Sequence, residues 1–167
     1  MISLSLAVIV FSQEKTITAY KNYFNFRYGY CIRYPNKLLT PQREAQNGDG
    51  RIFTDKKGKE VLRVYGAQND DESGTFIPLK KLYNLELKGG QYNEHPNRVI
   101  TYSKLGYKFY VISGTENGKI FYQKTLQILR DEDTVIAVAM LNYSDADKNI
   151  YDQVSKKIFS SFKYCSD

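Results

Sequence analysis

The chain has 167 residues, 42% of them hydrophobic and 25% charged, close to globular averages. That length suits one domain with one core, and the composition excludes a collagen-like, coiled-coil or largely disordered chain. A net charge of +6 favours anionic partners, yet the longest basic runs are the pairs Lys56-Lys57, Lys80-Lys81 and Lys156-Lys157, and no Arg-rich segment marks a nucleic-acid interface.

In chain order, the first feature is the apolar run Leu4 to Phe11, followed by Ser12, Gln13 and Glu14. It has the shape of a signal-peptide h-region and is too short to span a bilayer. Residues 1–19 are therefore expected to be a leader and short linker, residues 20–167 a single domain, and the protein periplasmic or secreted. The alternative is a first strand buried in the core. Fifteen Tyr and no Trp favour strands, where a large ring with a polar tip suits a half-buried face.

From Phe24 to Tyr34 aromatic and polar residues alternate, which predicts one strand ended by Pro35. Cys31 falls on its polar face. A solvent-facing thiol outside the cytoplasm is a liability, so a disulfide between Cys31 and Cys165 is expected. Two unpaired thiols in an intracellular protein are the other reading. Residues 35–50 read as loop, with Pro35, Pro41 and the turn-forming Asn47-Gly48-Asp49-Gly50. A hairpin follows, from Arg51 to Thr54 and Glu60 to Tyr65, turning around Lys57-Gly58.

An acidic loop over 67–74 precedes a predicted helix from Pro78 to Lys88, stopped by Gly89-Gly90. Strands are predicted at Arg98 to Tyr102, Tyr107 to Thr115 and Ile120 to Arg130, with Asn117-Gly118 as a two-residue hairpin turn. A tight connection at 131–133 leads to Thr134 to Asn142, whose apolar run predicts a central strand. The chain closes on an amphipathic helix that starts with a capping box at Ser144 and places Ile150, Val154, Ile158 and Phe162 on the sheet.

The early Tyr28-Gly29-Tyr30-Cys31-Ile32-Arg33-Tyr34-Pro35 strand and the closing Ile158-Phe159-Ser160-Ser161-Phe162-Lys163 resemble the PsbP/Mog1-like group of α+β domains. The middle, Asn47 to Arg51, Ile112-Ser113-Gly114 and Asn117 to Thr125, is similar to an uncharacterised family of exported bacterial proteins. The resemblance implies an α+β fold, a twisted antiparallel sheet flanked by helices. It implies a compartment too, and no activity, because that fold group serves mainly as assembly factors, chaperones and binding modules.

Catalytic chemistry finds little purchase. The one His, His95, precedes Pro96 in a loop and is expected to be solvated; no Ser or Cys sits in a nucleophile elbow. Cys and His are too few for zinc. Asn47-Gly-Asp49-Gly-Arg51 is similar to the start of a calcium loop, but Arg51 and Gly58 stand where oxygen donors are needed. No cofactor or metal is expected. The remaining candidates form a surface: Asn47, Asp49, Arg51, Tyr122 and Lys124, which combine polar groups with an aromatic, or else serve turns and cross-strand packing.

The expectation is thus a non-enzymatic, monomeric, exported binding module of immunity, assembly-factor or accessory type. It would recognise a protein partner in the cell envelope, with no nucleic acid and no membrane span. The alternatives are a hydrolase of an envelope polymer working through carboxylates, and a small-ligand carrier.

Overall fold

The computed structural model describes residues 19–90, 94–130 and 133–165. The expected leader, apart from its last residue, and the connection at 131–132 lie outside the described residues. Strands β1 (Tyr20–Asn25), β2 (Tyr30–Pro35) and β10 (Lys163–Tyr164) form a small antiparallel sheet in the order β1-β2-β10. Strands β3 (Thr40–Pro41), β4 (Gly50–Thr54), β5 (Glu60–Gln68), β6 (Arg98–Leu105), β7 (Phe109–Glu116), β8 (Lys119–Arg130) and β9 (Asp133–Tyr143) form a large sheet in the order β3-β4-β5-β9-β8-β7-β6. Helices α1 (Leu79–Glu86) and α2 (Lys148–Ser161) complete an α+β architecture.

The run from Phe24 to Tyr34 is a hairpin rather than one strand. The Asn25 side-chain oxygen accepts the Tyr28 amide at 2.9 Å and Gly29 takes φ +67°, so the chain reverses between β1 and β2. Phe26, at the turn, is 82% exposed, while Tyr28 is buried. Alternation identifies a pleated run but cannot see a turn inside it. Asn117 and Gly118, with φ of +49° and +73°, close the predicted β7–β8 hairpin.

The pleat sorts the large sheet into two faces. Leu62, Val64, Ala139 and Leu141 face the small sheet and α2, forming the main core with Tyr30, Ile32, Phe53, Val154, Ile158 and Phe162. On the other face α1 covers only the β6–β8 half, where Leu79 packs with Tyr110, Ile112 and Phe121. Strand β9, paired on both sides, carries buried residues of both parities, as its apolar run implied.

The last helix buries Tyr151, Val154, Ile158 and Phe159, while Ile150 is 43% exposed. A strict four-residue repeat drifts around a helix of 3.6 residues per turn, so the stripe passes through 151 instead of 150. Ser144 does not form the expected capping box: its hydroxyl donates to Asp147 at 2.5 Å, and a 3₁₀ turn over Asp145–Asp147 precedes α2. Cys31 and Cys165 are joined as a disulfide, Cα atoms 5.8 Å apart.

Burial holds several phenols above their ordinary range. Burial and a 2.6 Å hydrogen bond to Glu44 push Tyr23 up to about 12, burial together with the Asp55 and Asp147 charges pushes Tyr151 up to about 12, and Tyr30 and Tyr143 are raised further, again chiefly by burial. Folded values above the unfolded value of about 10 make this contribution to stability complete below pH 10 and lost as pH rises through the folded values. An alkaline titration followed by phenolate absorbance and circular dichroism should show an early class near pH 10 and a late class that ionises with unfolding near pH 12. A single class ionising near pH 10 with the fold intact would contradict this core.

Candidate functional site

The half of the sheet that α1 leaves uncovered is a cleft. Arg43, from the loop after β3, and Arg63 and Tyr65, on β5, line it together with Glu86, His95 and Gln123, around a space of about 470 Å³. Tyr65, Glu86 and His95 also border a second space of about 280 Å³ that runs under α1, walled by Leu82, Tyr110 and Ile136. The cleft therefore mixes charged and apolar lining along its whole length: Arg43, Arg63 and Glu86 stand among Ile52, Tyr65 and Met140 at the mouth, and Glu86, Glu94 and His95 stand among Leu82, Tyr110 and Ile136 beneath the helix.

Arg98, first residue of β6, braces the wall. Its side chain is 1% exposed, with Nη1 3.1 Å from Glu86 and Nη2 3.0 Å from Glu116. Nη1 also donates to Gln123 at 3.3 Å, and the guanidinium lies 4.4 Å from the centre of the Phe121 ring. His95 Nδ1 is 2.6 Å from the second Glu116 oxygen. One cation thus ties the end of α1, the 94–97 loop and the end of β7 to the middle of β8.

The two carboxylates respond oppositely. Burial pushes Glu86 up despite the Arg98 charge beside it. Burial also works against ionised Glu116, but hydrogen bonds from Arg98 and His95 outweigh it and hold that carboxyl below its usual range. Both spend oxygens on Arg98, so the arrangement presents fixed hydrogen-bonding groups interleaved with apolar side chains, a geometry suited to gripping a segment that carries both polar and apolar groups.

The five residues singled out as a surface do not come together. Asn47 and Asp49 shape the turn before β4: Asn47 Nδ2 donates to Asp49 Oδ2 at 2.8 Å, and the Asp49 carbonyl accepts Tyr30 Oη–H at 2.9 Å. Arg51 turns to Glu44 at 3.0 Å and lies 5.0 Å from the Tyr23 ring centre. Tyr122 and Lys124 are on β8, three strand spacings or about 14 Å from β4. Tyr122 packs on Phe159, ring centres 4.2 Å apart. Lys124 donates to the Phe159 and Phe162 carbonyls, both at 2.9 Å, capping the end of α2, and burial lowers its pKa. Asp49 and Arg51 border the cleft; Tyr122 and Lys124 face α2 instead.

Arg98, Glu86 and Glu116 escaped sequence reasoning, and His95 is paired where a solvated ring was expected. One signal was readable. Gln123 sits at the parity of Phe121 and Thr125 and is only 4% exposed; a buried amide demands partners, and here it receives Arg98.

Known structures share this architecture. Cyanobacterial PsbP (CyanoP) from Synechocystis sp. PCC 6803 aligns with a TM-score of 0.54 and 13% identity, over 87% of this chain and 92% of that one. Mog1p, the Ran-binding protein of Saccharomyces cerevisiae, aligns at 0.52 and 8% identity, over 87% and 95%. The fold is PsbP/Mog1-like. Identities this low carry the architecture alone. No family model matches the sequence, and no curated protein matches it significantly. Among the described residues of this PsbP/Mog1-like chain, no helix is long and apolar enough to cross a membrane.

Proposed function

We propose that this PsbP/Mog1-like protein is an exported, non-enzymatic binding module of immunity, assembly-factor or accessory type, and that it recognises a protein of the cell envelope. The observation that carries the reading is the cleft, whose interleaved charged and apolar lining suits a protruding polypeptide segment and whose wall is braced by the buried Arg98 side chain and its two carboxylates. The disulfide suits an oxidising compartment, and Mog1p, as a Ran-binding protein, is a precedent for protein recognition on this fold.

Affinity capture from envelope extract tests it. The wild-type domain should retain one stoichiometric, salt-sensitive protein. Arg43→Glu with Arg63→Glu, at the cleft mouth, should weaken retention by about tenfold or more, and Lys88→Glu, away from the cleft, should not. Glycan fragments or lipid recovered in place of a protein, or a protein held equally by the cleft variant, would overturn the reading.

A further inference from the structure

A second recessed surface lies on the far side of the core from the cleft. The small sheet packs its inner face on the large sheet, and its outer face meets α2 along a groove of about 820 Å³ lined by Asn22, Phe24, Arg33, Lys157, Ser161 and Lys163, among others. Among the described residues no carboxylate lines it. Arg33, Lys157 and Lys163 are exposed, and among the described residues none of the three makes an ion pair.

Register and helix packing set the three cations on a diagonal, one per row and one strand apart. Phe24, Cys31 and Lys163 form one row across β1, β2 and β10. Asn22 and Arg33 form the next, where the Arg33 amide donates to the Ser161 hydroxyl at 2.8 Å. Tyr20 and Pro35 form the third, and the Lys157 ammonium sits 4.2 Å from the centre of the Tyr20 ring. Successive rows on one face of a strand are about 7 Å apart. With the sideways step of about 4.8 Å per strand, the diagonal repeats at about 8 Å. An extended polypeptide laid along it repeats its same-side residues at about 7 Å, a difference that long Lys and Arg side chains absorb, so carboxylates on alternate residues would meet the three cations, with Arg33 able to grip one bidentately.

From this we infer that the groove between α2 and the small sheet binds an extended acidic polypeptide segment with Asp or Glu at alternating positions. Cations spaced along a groove between a helix and a sheet match the width of a single extended chain better than that of a flat bilayer. Phe26, packed edge-on against Phe24 with ring centres 4.6 Å apart, gives such a segment an apolar contact at the groove's end.

The test uses a labelled peptide of about nine residues, long enough for three rows at about 3.4 Å per residue, with Asp at alternate positions and Ser or Thr between. A control has the same composition with the Asp residues grouped at one end. Fluorescence anisotropy should show the alternating peptide binding about tenfold tighter than the control, with that binding lost between about 0.1 M and 1 M salt as screening shortens from about 10 Å to 3 Å. Arg33→Gln with Lys163→Gln should weaken it about tenfold without changing the melting temperature. Arg43→Glu, at the cleft, should leave it unchanged, which separates this inference from the cleft reading. Equal binding of both peptides, an unaffected Arg33/Lys163 variant, or tighter binding of a single-stranded oligonucleotide or an anionic lipid vesicle would each overturn it.

Discussion

Replacing Arg98 by Met should cost about 3–5 kcal/mol of stability, because it removes the cation that both Glu86 and Glu116 hold and leaves Glu116 with His95 alone. Met keeps much of the apolar stem against Phe121, so the loss is chiefly that of the guanidinium, which holds Glu86 at 3.1 Å and Glu116 at 3.0 Å from a position 1% exposed. Lys does not substitute: a single ammonium cannot reach both carboxylates and Gln123 while lying flat on the Phe121 ring. The pH dependence follows from the sign of the shifts. Without Arg98 Glu86, already raised by burial, rises further above its unfolded value, so its contribution is favourable below about pH 4 and is lost as pH rises through the folded value, while Glu116 loses the Arg98 hydrogen bonds that held it low. Denaturant unfolding of the variant should therefore show its largest deficit at neutral pH, shrinking toward pH 4. Adding Glu86→Gln and Glu116→Gln should recover part of the loss at neutral pH. A deficit below about 1 kcal/mol, or one independent of pH, would mean that the cluster does not brace the cleft wall.

Opening the Cys31–Cys165 disulfide should have the other large effect. The bond closes a separation of 134 residues, for which chain-entropy reasoning gives about 4–5 kcal/mol. At roughly 2–4 °C per kcal/mol for a domain of this size, Cys31→Ser with Cys165→Ser should lower the melting temperature by about 10 °C or more. Few other contacts pin the end of the chain. Strand β10 contributes only Lys163 and Tyr164 to the small sheet, and the Cys165 amide donates to the Gly29 carbonyl at 2.8 Å. Wild-type protein treated with a thiol reductant should melt with the double variant. A shift under about 2 °C would show that β10 and α2 hold the terminus without the bond.

The legible parts of the fold were those governed by local chemistry. Asn117-Gly118 placed a hairpin because positive φ is cheap for those two residues, and Gly89-Gly90 stopped α1 for the same reason. The meander from β6 to β9 followed from strands too closely spaced for crossovers. Misreadings arose where two patterns overlap. Phe26 shares parity with Phe24 and Tyr28, yet Asn25 and Gly29 turn the chain between them. Ile150 fits a four-residue repeat that the helix itself does not keep.

The sequence by itself determined the α+β class, the antiparallel meander, the closing helix and the face of Cys31, because alternation, turn chemistry and helical spacing act over a few residues. Only the tertiary structure decided the site. The cleft exists because a helix of eight residues covers half of a seven-stranded sheet, and its wall exists because Arg98, Glu86, Glu116 and His95, drawn from a strand start, a helix end, a strand end and a loop, meet at one buried point. Likewise the cation diagonal joins residue 33 to residue 163 through strand register and to residue 157 through the packing of α2 on the small sheet. Such meetings are set by packing and pairing over long sequence separations, which no local pattern encodes.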